Sequence, residues 1–326
     1  MSDLALAVFA AARDAHVVDV PRHRAYRAFL ESFDEAAYLR GLSEDGVHWL
    51  GRSDPDFPPL LGAIHDPPPG LFLRGAAGAE ALRRPTAAVV GARSCSPYGA
   101  QVARMLGREL AAVGIVVVSG LARGVDGEAH RGALEAVGTT VAVLGCGIDR
   151  DYPAAHAELG ARIRASGLAV SEYAPRVEPA PWRFPARNRI IAGLSAVTIV
   201  VEARERSGAL ITADLALEEG REVFAVPGEI TSALSSGTND LLRLGAAPLL
   251  SSADILEIFG LAAFEPERVE LTPTADAVLS RLRDGPTSAD ELVRSTGLET
   301  GALASALTEL ELAGRAVAAG GVYRAN

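Results

Sequence analysis

The sequence contains no lysine, so its 31 basic side chains are all arginines. Arginine carries a planar guanidinium group that binds phosphate oxygens in pairs and stacks on aromatic rings. The 41 acidic residues outnumber the arginines and give a formal net charge of -10. Polyanions bind where the local potential is positive, so a role in binding them would require arginines that cluster on one surface.

Other features are also scarce, and each absence excludes a class of protein. No apolar run reaches the roughly 18 residues that span a bilayer, and the apolar N-terminus lacks the basic n-region of a signal peptide. The two cysteines, Cys95 and Cys146, fit neither a disulfide framework nor a metal-ligand spacing. No HxxxH or CxxC pair is present. We therefore expect a cytoplasmic protein without a membrane segment and without a metal site.

Three regions follow one another along the chain. Residues 1–52 predict a small helical N-terminal domain of the SAM or helix–hairpin–helix kind, with helices at 4–15, 26–33 and 34–42. Residues 53–264 predict an α/β domain, and the stretch 264–273 after it is expected to be a linker. Residues 272–326 predict a winged-helix domain, with helices at 274–283, 288–295 and 300–312 and a hairpin at 316–323.

The central region determines the fold class. A proline-rich, irregular lead-in at residues 55–70 precedes short apolar, β-branched runs that alternate with helical stretches. The runs lack polar alternation, so both faces of each strand should be buried, as in a parallel sheet. We predict an extended Rossmann-like, doubly wound and mostly parallel sheet. The predicted strands are 87–90, 115–118, 140–144, 168–170, 198–201 and 222–226, with helices at 98–112, 154–165 and 208–219.

In such sheets, ligands bind at the carboxyl ends of the strands, where loops meet helix N-termini. Two glycine-containing loops follow the first two predicted strands, one at residues 90–99 and the other at 119–130. Neither loop matches the G-x-G-x-x-G dinucleotide fingerprint, and a chain without lysine has no P-loop. The sequence therefore predicts neither a dinucleotide cofactor nor a P-loop ATPase, and we expect no cofactor.

The segment WRFPARNR, residues 182–189, is the most informative part of the sequence. It contains three arginines, one asparagine and two aromatic residues, with no acidic residue among them. Guanidinium and amide groups bind phosphates, and aromatic rings offer stacking faces to bases. A helix is expected to begin at Ile190, which would add its positive end to the arginines. Two alternatives stay open: Phe184 could pack in the core, and the arginines could pair with carboxylates.

Two further loops, residues 202–208 and 226–239, also follow strands and open helices. Glu202 stands at the end of a predicted strand. It is therefore a candidate catalytic carboxylate, or a group that orients a neighbouring arginine.

The chain contains, in order, the segments VGARSCSPYGAQVA, SGLARGVDGEAHRGAL, TVAVLGCGIDRDYP, SEYAP, FPARNRIIAGLS, IVVEARERSGALITADLALEEGREVFAVPG and SSGTNDLLRLGA. Taken together, these segments resemble the DprA (DNA processing protein A) family over almost all of residues 57–250. The resemblance implies a non-catalytic protein, usually a homodimer, that binds and protects single-stranded DNA and loads a RecA-type recombinase onto it in natural transformation. Single-strand-binding protein is a further candidate partner.

The resemblance also implies which residues bind the DNA. They would come from the first two glycine-containing loops, from the RNR segment as the main positive pocket, and from the loop beside it. Relatives are expected to carry lysines around this pocket, whereas this chain offers only arginine. The expected nucleic-acid-binding residues are Gly91, Ala92, Arg93, Ser94, Ser119, Gly120, Arg123, Gly124, Phe184, Arg187, Asn188, Arg189, Ser207 and Gly208.

A different class of function, a nucleotide phosphoribohydrolase, stays open on the same sheet. Such an enzyme would use Glu202 as its acid–base residue. Related Rossmann-like hydrolases carry a P-G-G-x-G-T stretch, whereas Pro227-Gly228-Glu229 lacks the second glycine.

The third candidate function is duplex binding through the winged helix. Its predicted third helix and the residue just before that helix carry Glu299, Glu309 and Glu311 and no arginine. In a major groove, this helix would face two rows of phosphates with the wrong sign of charge. We therefore expect a protein-contact or auxiliary role for this domain.

Overall fold

The computed structural model describes residues 2–13, 17–261 and 271–325. The chain divides into two compact units, Met1–Phe264 and Glu265–Asn326. Most of the expected linker, residues 264–273, lies outside the described residues. The domain boundary expected near residue 52 stays a prediction, because the first unit contains the N-terminal helices as well as the central sheet.

The first unit is built on a sheet of nine strands, counted over the described residues. Their spatial order is β1-β2-β6-β5-β4-β3-β7-β8-β9. Neighbours from β6 through β9 run parallel, whereas β1 and β2 extend the β6 edge as antiparallel strands. The strands are β1 (His48–Gly51), β2 (Gly70–Gly75), β3 (Thr86–Val90), β4 (Val116–Ser119), β5 (Thr140–Val143), β6 (Leu168–Ser171), β7 (Val197–Val200), β8 (Glu222–Ala225) and β9 (Ala247–Pro248).

Helices cover both faces of this sheet. Short 3-10 helices span Val17–Arg22, Ala79–Arg83 and Ala154–His156. No helix in the described ranges combines the length and apolar character that a membrane crossing needs. The α-helices are α1 (Asp3–Arg13), α2 (Tyr26–Ser32), α3 (Glu35–Glu44), α4 (Pro59–Gly62), α5 (Pro97–Ala112), α6 (Val125–Glu135), α7 (Ala157–Ser166), α8 (Arg183–Leu194), α9 (Gly208–Glu218), α10 (Ser236–Arg243) and α11 (Ala253–Ile258).

The pattern of burial explains why the apolar runs form this sheet. Successive side chains of a strand point to opposite faces, and in β4 they enter two separate cores. Val116 and Val118 pack with α8 and α9, whereas Val117 packs with α5 and α6. The predicted α/β class with a doubly wound, mostly parallel sheet is confirmed, and the six predicted strands are β3 to β8.

The edges of the sheet differ from the sequence prediction. β2 begins at Gly70, where the lead-in predicted as irregular ends, and pairs with both β1 and β6, although no strand was predicted at β1 or β2. The helix expected at Ile190 begins two turns earlier, because α8 starts at Arg183.

The second unit is a small domain of three helices and a three-stranded sheet, within the described residues. The hairpin turns at Gly320 and Gly321, which both have positive φ angles, 60° and 80°, as a tight two-residue turn requires. The winged-helix prediction is therefore confirmed in its elements. They are α12 (Pro273–Arg283), β10 (Thr287–Ser288), α13 (Ala289–Thr296), α14 (Thr300–Leu312), β11 (Ala316–Ala319) and β12 (Val322–Ala325), with strand order β10-β12-β11.

The strand order also determines where a ligand would bind. β3 has β4 on one side and β7 on the other. The chain winds outward from β3 in one direction and later returns to continue from β7 in the other. In open α/β sheets, ligands bind outside the carboxyl ends of the strands at such a switch point.

The close packing of α5 against α6 leads to a stability prediction. A Cβ atom on Gly132 would overlap the Arg104 carbonyl oxygen, so the two helices meet backbone to backbone. We expect Gly132→Ala to lower the free energy of unfolding by about 1–3 kcal/mol, since overpacking forces the helices apart. Gly41→Ala is the control, because open space surrounds Gly41 on α3 and alanine favours a helix by about 1 kcal/mol. Urea unfolding of both variants tests the prediction, and equal stability would contradict it.

Candidate functional site

A cleft of about 400 Å³ opens at the switch point between β3 and β7. Its walls come from the loop after β3, the first turns of α8, and the loop between β7 and α9. The charged and polar residues of its lining are Arg93, Ser94, Asp126, Arg187, Asn188, Arg204, Glu205, Arg206, Ser207 and Thr212.

Many of the residues expected from the sequence do meet at this cleft, although their role in binding stays a prediction. They come from three separate stretches of the chain, which the parallel sheet brings together at the carboxyl ends of its strands. The expected residues in the lining are Gly91, Ala92, Arg93, Ser94, Phe184, Arg187, Asn188, Ser207 and Gly208.

The four residues expected from the loop after β4 lie outside the cleft lining. Ser119 is fully buried, and its hydroxyl donates to the Val89 carbonyl at 2.6 Å. Gly124 has a φ of 73°, and a Cβ atom there would overlap the carbonyl of Ala92. Gly120 packs against Arg187, and Arg123 is exposed to solvent outside the lining. This loop therefore shapes the cleft from outside its lining, and the DNA-binding role expected for these four residues stays a prediction.

Arg187 forms the floor of the cleft. Its Nη1 donates to the Gly120 carbonyl at 2.9 Å and also to the Val143 carbonyl, whereas its Nε has no hydrogen-bond partner among the described residues. A Cβ atom on Gly120 would overlap the guanidinium, so a larger residue at this position would displace Arg187 from its place. Burial lowers the pKa of Arg187, and the neighbouring carboxylate of Asp126 opposes that shift.

Asp126 is the buried counter-charge of Arg187. Its Oδ2 accepts hydrogen bonds from the amides of Gly120 at 3.1 Å and Ala122 at 3.3 Å. Burial raises the pKa of Asp126, while Arg187 and the two amides favour the ionised form. Sequence reasoning assigned no role to this residue, although its position at the start of a helix after a glycine turn was visible.

The rim of the cleft carries three exposed arginines, Arg93, Arg204 and Arg206. Arg206 has a φ of 60°, a left-handed conformation that costs free energy for a residue with a side chain. Ser207 caps α9 by accepting from the amide of Ala209, so the positive end of that helix also faces the cleft. From this loop, only Ser207 and Gly208 were expected as binding residues, and Arg204 and Arg206 were not.

Arg189 does not belong to the cleft. Consecutive residues of a helix point about 100° apart, so Arg187 and Arg189 on α8 face nearly opposite directions. Arg189 donates to both carboxylate oxygens of Glu172, at 2.8 and 2.7 Å, and its Nε donates to Asp66 at 3.0 Å. The expectation that Arg189 shares the main positive pocket is therefore wrong, and for this arginine the carboxylate-paired alternative holds.

Two further polar side chains stabilise the walls. Asn188 donates from Nδ2 to the Gly208 carbonyl at 3.1 Å and so ties α8 to the start of α9. Glu202 is buried and accepts hydrogen bonds from the Ser96 amide at 2.8 Å and the Ser96 hydroxyl at 2.5 Å. The carboxylate of Glu202 therefore fixes the loop before α5, and it does not line the cleft.

The Arg189–Glu172 pair supplies a second stability prediction. Only 14% of the Arg189 side chain and 5% of the Glu172 side chain are exposed. We expect Arg189→Met to destabilise the protein by about 3–5 kcal/mol, because a buried carboxylate then lacks its partner, whereas the double variant Arg189→Met/Glu172→Met should regain much of that loss. The measurement is the midpoint of urea unfolding.

The surface pair Arg243–Asp240 provides the matched control, since 78% of the Arg243 side chain is exposed. Arg243→Met should cost less than about 1 kcal/mol. A similar loss for Arg243→Met and Arg189→Met would contradict a structural role for the buried pair.

The fold and the cleft together define a Rossmann-like protein with an arginine-lined, anion-attracting site at the switch point of its sheet, followed by a winged helix. Residues 48–260 match the family described as DNA recombination-mediator protein A, and residues 262–321 match the DprA winged helix domain. The chain belongs to the DprA family and is a DNA-processing protein of that family.

Individual relatives agree with this assignment. Protein Smf of Escherichia coli is 40% identical over 294 residues, which cover 86% of this chain and 78% of that protein. DNA processing protein DprA of Streptococcus pneumoniae is 46% identical over 210 residues, 63% of this chain and 72% of that protein.

Solved structures of relatives share the fold. The X-ray structure of DprA from Streptococcus pneumoniae superposes with a TM-score of 0.66 at 39% identity, covering 78% of this chain and 91% of that one. A structure of DNA processing protein A from Helicobacter pylori, described as giving insight into its single-stranded DNA binding mode, has a TM-score of 0.58 at 33% identity. It covers 62% of this chain and 92% of its own.

Proposed function

We propose that this chain binds single-stranded DNA in the cleft, protects it, and loads a RecA-type recombinase onto it in recombination and natural transformation. One observation carries the proposal: three exposed arginines surround a cleft whose floor is the buried guanidinium of Arg187. The single-stranded DNA binding described for the Helicobacter pylori relative supports the choice of ligand.

The electrostatics of the cleft favour a flexible polyanion. The molecule is acidic as a whole, with a formal net charge of -10, so its general surface repels DNA. At the cleft, the carboxylate of Asp126 is buried beside Arg187 and accepts from two backbone amides. The exposed arginines of the lining, Arg93, Arg204 and Arg206, outnumber its one exposed carboxylate, Glu205. Arginines that track phosphates, together with rings that receive bases, are the usual equipment for unpaired strands.

We also propose that the protein is not an enzyme. The carboxylate of Glu202, which the hydrolase alternative needs as its acid–base residue, is occupied by Ser96. The loop after β8 is closed on itself as well, because the Gly228 amide donates to Asn239 Oδ1 at 3.2 Å and the Gly228 carbonyl accepts from Asn239 Nδ2 at 3.1 Å. An amide held in this way is not available to cradle a phosphate.

The remaining parts of the proposal concern assembly and location. We propose that the chain acts in the cytoplasm as a homodimer, with single-strand-binding protein as a further partner and with a protein-contact role for the winged helix. Within the winged helix, Glu309 of α14 accepts hydrogen bonds from the amide and the hydroxyl of Thr272, both at 2.7 Å. An acidic side chain on this helix thus stabilises its own domain.

The salt dependence of binding tests the DNA-binding proposal. We expect Arg204→Gln and Arg206→Gln each to weaken the binding of single-stranded oligonucleotides of every sequence to a similar degree. Each loss of a phosphate contact should reduce the slope of log affinity against log salt by about 0.7. The measurement is fluorescence anisotropy with labelled single-stranded and double-stranded oligonucleotides across a range of salt concentrations.

Arg162→Gln is the charge-matched control, because Arg162 is an exposed arginine on α7 outside the cleft lining. It should leave both the affinity and the slope unchanged. Equal slopes for the rim variants, the control and the parent would refute the proposed site.

The free edge of the sheet supports the homodimer. β9 is the outermost strand, and no further strand pairs with it among the described residues. Leu244 and Leu250 flank it and are 82% and 78% exposed. An open edge beside exposed apolar side chains is a template for pairing with a second chain.

We expect the double variant Leu244→Asp/Leu250→Asp to be a monomer, because charges at a paired edge repel the second copy. Light scattering coupled to size-exclusion chromatography measures the mass. Val137→Asp is the control, since Val137 is 91% exposed but follows α6, away from β9. A dimer that survives the double substitution would place the interface elsewhere.

A further inference from the structure

A group of three side chains extends from the cleft wall toward the loop after β5. The ring of Phe184, in the cleft lining, stacks on the ring of Tyr152, with centroids 5.1 Å apart and planes inclined by 28°. The Arg93 guanidinium lies over the same Phe184 ring, 5.5 Å from its centroid. Phe184 therefore contacts one residue of the rim and one residue outside the cleft lining.

Phe184 has little ring surface left for a ligand. Its side chain is half-buried, and Tyr152 and Arg93 both lie against its ring. Gly145 adjoins it so closely that a Cβ atom there would lie 2.8 Å from Phe184 Cδ1. The sequence suggested Phe184 as the stacking residue, but its position among these neighbours is that of a support.

Tyr152 is the more exposed of the two rings. It is 42% exposed, although large aromatic side chains usually bury most of their surface. Its stacking contact with Phe184 restricts the ring before any ligand arrives, which lowers the entropy lost on binding. Every nucleobase has a π-face, so an oriented and accessible ring binds bases with little regard to sequence.

We propose that Tyr152 is a base-stacking residue for the bound strand and that Phe184 is the positioning residue that orients Tyr152 and Arg93. The inference rests on the proposed function and deepens it. Since Arg93 and Tyr152 both contact the Phe184 ring, a phosphate at Arg93 and a base at Tyr152 belong to the same or neighbouring nucleotides. The ligand at Tyr152 is thus an unpaired nucleobase, which duplex DNA does not present.

The experiment compares two oligonucleotides of equal length, a thymine strand and a strand of abasic sites, which have the same phosphates. Tyr152→Leu in the full chain should bind the thymine strand at least ~5-fold more weakly than the parent, in line with stacking free energies. It should bind the abasic strand as the parent does. Tyr152→Phe should behave as the parent on both strands, because it retains the ring.

Tyr98→Leu is the matched control, because Tyr98 is 43% exposed, lies on α5, and bonds through its hydroxyl to the Pro227 carbonyl at 3.4 Å. It should not discriminate between the two strands. A strand carrying 2-aminopurine gives a second signal, since stacking quenches its fluorescence. The parent and Tyr152→Phe should quench it, and Tyr152→Leu should not.

Two results would overturn the inference. Equal losses of affinity on the thymine and abasic strands would make Tyr152 a structural support of the phosphate site, and no loss on either strand would remove it from the binding path. A parent protein that binds neither strand would refute the proposed function itself and, with it, the role of Tyr152.

Discussion

The buried guanidinium of Arg187 is the interaction on which the rest of the site depends. Its Nη1 joins the second turn of α8 to the ends of two strands, through the carbonyls of Gly120 after β4 and Val143 at the end of β5. A charge held in the interior is costly unless it is paired and hydrogen-bonded. Asp126 supplies the opposite charge and is in turn held by two backbone amides. The buried charges of Arg187 and Asp126 thus balance each other at the floor of the cleft. The exposed arginines of the rim add positive charge to this arrangement.

The central sheet could be predicted from the sequence because its strands are buried on both faces. Runs such as Val116–Ser119 carry no polar alternation, and helical stretches separate them, which together specify a parallel, doubly wound sheet. The antiparallel edge could not be predicted in the same way. β2 (Gly70–Gly75) follows three consecutive prolines, and its apolar run is only three residues long, which is too short to identify a strand from the sequence. It forms a strand because its backbone pairs with β6 and β1 in the sheet.

The site could be predicted in its composition but only partly in its geometry. The loops that meet at the cleft are recognisable by their glycines and arginines, and the parallel sheet brings them together. Which arginines of the RNR segment face the cleft depends on the helix that contains them. Because α8 begins at Arg183, Arg187 and Arg189 both lie in this helix and point away from each other. The partners of Arg189, Glu172 and Asp66, lie 17 and 123 positions away in the sequence. Pairings over such separations depend on the finished fold and leave no local pattern in the chain.

The backbone contact between α5 and α6 has a consequence for how the cleft can adapt. α5 begins after the loop that carries Arg93, and α6 begins after the loop that surrounds Asp126, so the two helices lock together the segments that form one side of the cleft. Helices packed at glycine cannot slide without a clash between main chains. We therefore expect this side of the cleft to be rigid. Any closing movement around a bound strand would come from the opposite side, where α9 follows the loop with Arg204 and Arg206.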